Sequence, residues 1–250
     1  MPGAAPSQRA HAIHEPPSPR VRVIREHHRA RYDRATIDGI LDEALVAHLG
    51  FVHEGQPYVI PTLHARVGEV VYVHGSSASR MLRTLSGGVS ACLTVTLIDG
   101  LVLARSVFEH SVNYRSVVLI GTLSPVSEPA AKLEALEAFT EALIPGRYGE
   151  ARAPSAQELK ATSILAMAID EASAKVSDGG PGDADTADGA LDVWAGRVPV
   201  QLSYGEPEPD PALRPGIPVS AAAQAFVRER AAATAGRDER ARPRRSAGVS

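Results

Sequence analysis

The stretch from Val46 to Val126 constrains the fold most strongly, because it consists of short apolar runs separated by turn residues. The runs are VAHLGFVH, PYVIPTLHAR, VVYVHG, VSACLTVTL, LVLARSVF and YRSVVLIGTLSPV, and the breaks include EGQ, VGE, Gly87-Gly88 and IDG. Their β-branched content and brevity are typical of strands. About six strands with hairpin-length links predict an antiparallel barrel or sandwich rather than a dinucleotide-binding α/β fold.

Helices are predicted around this β region. Asp33 or Thr36 can cap a helix with one buried face, and SASRMLRTLS predicts a second helix between two strands. Residues 129–144 have leucines at helical spacing, and Ser155 and Glu158 have capping-box spacing. The run SILAMAIDEASAKV is interpreted as a further strand that returns to the sheet.

The two ends of the chain differ in composition from the middle. Residues 1–20 contain five prolines and almost no large apolar side chains, so we expect a disordered segment. Residues 21–204 form the predicted domain, in which the aspartate-rich stretch 178–192 is expected to be a flexible, solvated loop. Residues 205–250 form a tail rich in proline and arginine that we expect to be partly helical or disordered.

Charge and composition exclude several classes of protein. A net charge of -3 and a pI of about 6.3 argue against nucleic acid as a partner. Cys92 is the one cysteine, so an intramolecular disulfide or a multi-cysteine metal cage cannot form. The N-terminus has no apolar signal region and no stretch has the length of a membrane span, so a cytoplasmic location without a membrane partner is expected. Nucleotide-binding glycine motifs, a G-x-S-x-G elbow and H-E-x-x-H are absent from the sequence.

The segment VVYVHGSSASRMLRTL is a candidate phosphate site. Gly75 and three serines stand between a predicted strand and a predicted helix that begins near Arg80. Backbone N–H groups at a helix N-terminus, hydroxyls and a guanidinium are the donors that bind a phosphate monoester. The spacing alone equally fits a polar turn in which a serine caps the helix.

A family resemblance decides between a phosphate site and a polar turn, because several motifs of the sequence occur in the order found in the family. The segments YVIPTLHARVGEVVYVHGSSASRMLRTL, HSVNYRSVVLIGT and DVWAGRVPV resemble the pyridoxamine 5'-phosphate oxidase-like superfamily, in particular its nitroimidazole-reductase-like (NimA-like) branch. The resemblance runs from Arg31 to Leu202. It implies a mainly β fold with flanking helices, a six-stranded antiparallel split β-barrel. It also implies a homodimer with FMN bound in clefts between the subunits.

The resemblance carries site residues over by position. Ser79 and Arg80 match the phosphate-binding turn, and His74, nearest the reacting face, is the candidate catalytic residue. Met81 stands where pyridoxine-phosphate oxidases have a second basic residue, and their C-terminal arginine motif is missing, so the match favours FMN binding over that reaction. The implied cofactor-binding residues are Pro61, Thr62, His74, Gly75, Ser76, Ser79, Arg80, Asn113, Tyr114, Arg115, Ser116 and Trp194.

Three functions remain open at this point. The first is an FMN-dependent reductase or oxidase of a small molecule, supplied with electrons by NAD(P)H or a partner reductase. The second is haem binding or degradation, for which His64, His74 and His110 are candidate ligands. The third is a flavin-binding protein without turnover that serves storage or regulation. The deazaflavin F420 is an alternative cofactor for the same fold.

Overall fold

The computed structural model describes residues 15–241, with side chains of the last helix described up to residue 232. Most of the N-terminal segment predicted to be disordered, and the end of the tail, lie outside these residues. Ten strands and five α-helices are found in the described part. The strands are β1 (Ala30–Arg31), β2 (Val46–His53), β3 (Gln56–Val67), β4 (Val70–Ser76), β5 (Ser90–Leu103), β6 (Ser111–Thr122), β7 (Ser124–Pro125), β8 (Thr162–Ala168), β9 (Ala172–Ser177) and β10 (Gly196–Pro199). The helices are α1 (Arg34–Glu43), α2 (Arg80–Ser86), α3 (Pro129–Leu143), α4 (Ala156–Ala161) and α5 (Ala221–Ala241).

All strand pairs are antiparallel and belong to one sheet. The order is β1-β9-β6-β5-β2-β3-β4-β8-β7, and β10 pairs with the outer part of β5. The sheet changes direction within strand β3, because residues 56–63 pair with β2 and residues 64–67 pair with β4. The mainly antiparallel β fold with flanking helices is confirmed, but the sheet has ten strands and is not closed.

Two details of the predicted strands are wrong. The IDG segment is not a turn: β5 continues through it, and the register with β6 shifts between Ile98 and Gly100. This shift leaves Asp99 as an extra residue, the signature of a β-bulge. The run SILAMAIDEASAKV is two strands, β8 and β9, which pair with different neighbours. Both errors arise because a bulge and a tight turn contain the same residue types.

One core lies inside the curved sheet. Alternate residues of β2, β5 and β6 point inward, and they meet inward residues of β4 and β8 and one face of α1 and α2. The largest fully buried side chains are Ile37, Leu41, Leu49, Leu82, Leu85, Leu93, Leu119, Leu123, Ile164, Leu165, Met167 and Val71.

A second, smaller core lies on the outside of the sheet. Helix α3 packs Ala135 and Phe139 against Ala65 and Ile164. Strand β4 therefore has both faces covered near its end, one by the main core and one by α3. This arrangement gives His74 apolar surroundings, because His74 lies on the α3 side of β4.

The helices begin where the sequence supplies caps. Asp33 accepts a hydrogen bond from the backbone of Thr36 at 2.8 Å, so Asp33 and not Thr36 caps α1. Ser155 and Glu158 form the predicted capping box of α4. Each cap satisfies N–H groups that have no partner within the helix.

Candidate functional site

The candidate phosphate turn forms a compact link between β4 and α2. The backbone N–H of Ser79 donates to the carbonyl of Ser76, and the Ser76 hydroxyl accepts from the N–H of Ala78 at 3.2 Å. Helix α2 begins at Arg80, and Ser79 occupies the cap position without a side-chain capping bond. The turn thus places the Ser79 hydroxyl and the Arg80 guanidinium together at the start of the helix.

Arg80 rests on an aromatic stack from the β2–β3 hairpin. Its guanidinium carbon lies 4.5 Å from the ring centre of Tyr58, within the range of a cation–π contact. Tyr58 is in turn stacked on Phe51, with ring centres 5.6 Å apart. One turn further along α2, the Thr84 hydroxyl is hydrogen-bonded to Nδ1 of His53 at 3.0 Å. The hairpin therefore holds one side of α2 and the arginine that begins it.

Close packing explains two residues next to the turn. A Cβ atom on Gly75 would lie 3.2 Å from Cδ1 of Leu82, so a glycine lets α2 lie close against β4. Met81 is buried in the main core. A basic side chain at this position would be buried without water, which costs free energy unless it is paired. The packing of α2 therefore explains why an apolar residue, Met81, stands where pyridoxine-phosphate oxidases have a basic one.

His74 lies on the opposite face of β4 from this packing. Its ring centre is 4.1 Å from that of Phe139 in α3. Its Nδ1 atom is buried and has no hydrogen-bond partner among the described residues. Burial lowers the pKa of His74, so the imidazole is held in its neutral form. The unprotonated nitrogen of a neutral imidazole can accept a proton or bind a metal ion.

A cavity of about 470 Å³ opens beside His74. Apolar side chains of β3, of α3 and of the segment after α3 line it, together with Arg152 and Glu158. Arg152 donates to both carboxylate oxygens of Glu158, at 2.6 and 2.8 Å, and together with the Ser155 bonds this lowers the pKa of Glu158 to about 2. Volume and lining are those of a site for a largely apolar ligand that carries charged groups at one end.

The other two candidate haem ligands have different surroundings. His64 is buried, and its Nε2 lies 2.9 Å from the carbonyl oxygen of Leu41. Because a carbonyl only accepts, Nε2 must carry the proton and Nδ1 must not. His110 is exposed, and its Nδ1 lies 2.9 Å from the carbonyl oxygen of Ser106. The Nδ1 atom of His64 is likewise buried without a partner among the described residues, and His64 lines a cavity that also contains Asp42, Arg66 and Glu141. His74 differs from His64 in that neither of its ring nitrogens has a hydrogen bond among the described residues and in that its cavity is lined by larger apolar side chains.

Pro61 and Thr62 lie near His74 along β3. They pair with His48 and Ala47 of β2, and they directly precede Leu63, which lines the His74 cavity. The predicted residues of β3 and β4 therefore lie on paired strands, and β4 leads directly into the phosphate turn, although His74 faces α3.

The predicted residues of β6 lie elsewhere in the same chain. Strands β5, β2 and β3 separate β6 from β4 in the sheet. Asn113 is buried, donates to the carbonyl of Gly179 at 2.9 Å and accepts from the Ser177 hydroxyl. Tyr114 and Ser116 pair with residues of both neighbouring strands.

Arg115 forms the centre of an ion-pair cluster. Its guanidinium donates to both carboxylate oxygens of Glu43, and also to both of Asp99. These bonds raise the pKa of Arg115 further above its ordinary value. The bulge in β5 makes this possible, because it turns the extra residue Asp99 toward β6. Within one subunit, the Arg115 side chain is thus engaged in holding α1 to the sheet.

Trp194 is two-thirds exposed, at 66% of its full accessible surface. It stands just before β10, and a Cβ atom on Gly196 would lie 3.0 Å from its ring. Gly196 therefore lets the indole fold against the backbone. Trp194 lies on the β6 and β10 side and not beside the phosphate turn, because β10 pairs with β5.

The sequence reasoning missed two aromatic residues of the site, Tyr58 and Phe139. Tyr58 was visible only as a strand residue, and Phe139 only as one member of a helix face. Their contacts with Arg80 and His74 join elements distant in the chain, so no spacing rule indicates them.

The fold and these residues agree with the comparisons to known proteins. The family model described as pyridoxamine 5'-phosphate oxidase matches residues 33–176. The chain belongs to this family, whose members have the FMN-binding split-barrel fold. No protein with a curated description matches the sequence.

Among solved structures, the chain is similar to the flavocytochrome Anf3 from Azotobacter vinelandii. The two share 43% identity with a TM-score of 0.80, over 84% of this chain and 98% of that one. An FAD and haem binding protein from Mycobacterium smegmatis is 40% identical, with a TM-score of 0.76, over 79% of this chain and 96% of that one. A 5-nitroimidazole antibiotic resistance protein from Bacteroides thetaiotaomicron shares the fold at 19% identity and a TM-score of 0.50, over 59% and 86% of the two chains. In residues 15–241, no helix combines the length and apolar character that crossing a bilayer requires.

Proposed function

We propose that this protein is a flavin-dependent oxidoreductase of a small molecule that also binds a haem. The similarity to a flavocytochrome carries the proposal, at 43% identity across 98% of that chain. A second relative, at 40% identity, is described as binding FAD and haem. We therefore propose that flavin and haem, which were alternatives in the sequence analysis, bind to the same protein.

The flavin phosphate fits the turn at the start of α2. Ser76 and Ser79 supply hydroxyls there, and Arg80 supplies a guanidinium that is held in place by Tyr58. A guanidinium binds phosphate oxygens through parallel N–H groups. The adjoining strand residues Pro61 and Thr62 would lie along the ring system, as the family resemblance implies.

The haem fits the cavity beside His74. His74, which has a neutral imidazole and a ring nitrogen without a partner among the described residues, would hold the haem iron, with Phe139 as apolar surroundings. Arg152, which also lines the cavity, is a cation for a haem carboxylate, although it would have to share Glu158. Attachment must be non-covalent through the porphyrin, because thioether linkage uses cysteines in a C-x-x-C-H motif and the sequence has one cysteine.

When bound, the flavin supplies two-electron chemistry and the haem supplies one-electron chemistry. The chain's own part is to bind and orient. Arg80 neutralises phosphate charge, His74 offers a nitrogen lone pair at neutral pH, and Phe139 with its leucine neighbours excludes water from one side of the imidazole. NAD(P)H or a partner reductase would supply the electrons.

We also propose a homodimer formed by the outer face of β2, β3, β5 and β6. Val59 is 68% exposed and pairs with Gly50, so both residues lie on this face. The same face carries exposed Val46 and Val52. A second copy would cover these side chains and would supply residues of β6 and β10 that one chain keeps away from its phosphate turn. On this proposal, the flavin clefts lie between subunits.

The absorption spectrum of the purified protein tests the two cofactors separately. We expect flavin bands together with a haem Soret band after reconstitution with both cofactors. The H74A variant should lose the Soret band and keep the flavin, while the matched H110A variant keeps both. A wild-type protein that binds no flavin contradicts the proposal, and a Soret band unchanged in H74A contradicts the assignment of the ligand.

Turnover and assembly need their own measurements. Anaerobic reduction of the flavin by NAD(P)H, alone or with a reductase, distinguishes an oxidoreductase from a storage protein. Mass spectrometry of the native protein distinguishes FMN, FAD and F420. For the dimer, V59E should shift the mass in light scattering to that of one chain, whereas V67E, on the exposed end of β3, should not.

A further inference from the structure

A further cavity, of about 370 Å³, lies between α2, the start of α3 and strands β7 and β8, and is called the α2–β8 cavity. Its polar side chains are those of Arg83, Ser86, Ser127, Lys132 and Ser163. No residue from His74 to Arg80 lines it, and it shares no lining residue with the cavity beside His74. The α2–β8 cavity is therefore a different site from those proposed for the flavin phosphate and the haem.

The charge in the α2–β8 cavity is one-sided, because Arg83 and Lys132 line it and no carboxylate does. The cavity beside His74 differs, since it contains Glu158 paired with an arginine. Glu128, at the start of α3, is exposed and forms no ion pair with either cation among the described residues. Uncompensated positive charge in a concave site favours an anionic ligand.

The Lys132 ammonium is held in position but is not neutralised. It donates to the carbonyl oxygens of Leu159, at 3.1 Å, and Thr162, at 2.8 Å, and Lys132 is half-buried. No carboxylate pairs with it within residues 15–241. An ammonium has three donors, so one N–H remains for a ligand. A half-buried cation without a counter-charge is stabilised by an anion that binds beside it.

Three further donors in the wall have no protein partner. In the part of the chain that the structure describes, neither the Arg83 guanidinium nor the hydroxyls of Ser127 and Ser163 form a hydrogen bond. The Ser86 hydroxyl donates to the carbonyl of Arg83 at 2.9 Å, so it is not a free donor. The free donors thus come from α2, from the residue two before α3 and from β8, and a ligand can bind them without breaking a contact in the protein.

We propose that the α2–β8 cavity binds a phosphate group, either as free phosphate or as a small phosphate monoester. Two cations match the charge of a phosphate monoester near pH 7, which is close to two. The guanidinium, the ammonium and the two hydroxyls supply N–H and O–H donors to its oxygens. The apolar side chains of Pro125, Val126 and Leu165 leave part of the wall for a short organic group. This inference does not depend on flavin or haem.

Calorimetric titration with inorganic phosphate and with glycerol 3-phosphate tests the proposal, and the probe that binds more tightly identifies the source of the phosphate group. The protein is used with its flavin bound, so that the turn at Arg80 is filled. We expect R83Q to weaken both probes about 10-fold, the effect of a lost charge-assisted hydrogen bond, and S163A to weaken them about 2-fold to 10-fold. Arg83 is exposed, so R83Q should fold. The matched control R25Q removes an exposed arginine before β1 and should change the affinity less than about twofold.

Several outcomes would overturn the inference. One is equal affinity in the wild type, R83Q and S163A. Another is binding that sodium chloride removes equally from the wild type and R83Q, because such binding is non-specific attraction. In flavin-free protein, loss of phosphate binding in R80Q but not in R83Q would assign the anion to the β4–α2 turn.

The same titrations separate this inference from the proposed function. Phosphate binding that depends on Arg83, in a protein that binds no flavin, would keep the inference and refute the flavin function. Flavin binding without phosphate binding would refute the inference alone.

Discussion

The contact between Arg80 and Tyr58 leads to a quantitative prediction for flavin affinity. The variant Y58L removes the aromatic face and keeps apolar bulk, whereas Y58F keeps the face. A cation–π contact contributes about 0.5–1 kcal/mol when exposed and about 2 kcal/mol when desolvated. Tyr58 is half-buried, so we expect Y58L to reduce the binding free energy of the flavin by about 1 kcal/mol, which is a roughly fivefold higher dissociation constant.

Phosphate dependence separates this effect from a general loss of structure. Quenching of flavin fluorescence would give dissociation constants for FMN and for riboflavin, which has no phosphate. Y58L should weaken FMN about fivefold and leave riboflavin within about twofold, and Y58F should restore FMN. Because Tyr58 acts through Arg80, adding Y58L to R80Q should cause no further loss of FMN.

Stability must be measured in parallel, because Y58L also removes the stacking on Phe51. An aromatic pair contributes about 0.5–1.5 kcal/mol beyond its burial, so Y58L should lower the free energy of unfolding by about 1–2 kcal/mol. Equal losses of affinity for FMN and riboflavin, or a Y58F variant that binds FMN as weakly as Y58L, would refute the idea that the Tyr58 ring positions Arg80.

Three further predictions concern folding and pH. Replacing Arg115 by methionine leaves Glu43 and Asp99 facing each other, and should lower the free energy of unfolding in urea by about 2 kcal/mol, between the values for exposed and buried pairs; a loss under about 0.5 kcal/mol would contradict this. Burial lowers the pKa of His64, so the unfolded chain binds a proton first and stability should fall as the pH drops below about 6.5; the H64Q variant should show a shallower fall. Backbone N–H groups of the β5–β6 loop, together with the Arg105 guanidinium, lower the pKa of buried Asp183. The variant D183N should therefore speed hydrogen exchange in residues 178–192 at neutral pH, and unchanged exchange would show that Asp183 does not hold this segment to the loop.

Asp183 also illustrates where local composition misleads. Five aspartates in residues 178–192 predicted a solvated loop, and most of them are exposed or carry no bond to the sheet. Asp183 is buried instead, and it accepts hydrogen bonds from the N–H groups of Arg105 and Ser106. The partner groups are more than seventy residues away in the chain, so no window of sequence contains them.

Local patterns in the sequence determined the antiparallel β character, the caps of α1 and α4, and the turn from His74 to Arg80. Each depends on neighbours within a few residues, where strand alternation, capping geometry and turn chemistry act directly. The family membership also followed from the sequence, because several motifs occur in the same order.

Only the tertiary structure decided which chemistry the individual residues can perform. The resemblance named His74 as the catalytic candidate and Arg115 as a cofactor contact. Only the structure shows that Phe139 lies beside His74 and that Glu43 and Asp99 bind the Arg115 guanidinium. The pKa, the hydrogen-bond partners and the accessible space of a side chain depend on packing between distant segments, which the sequence does not display residue by residue.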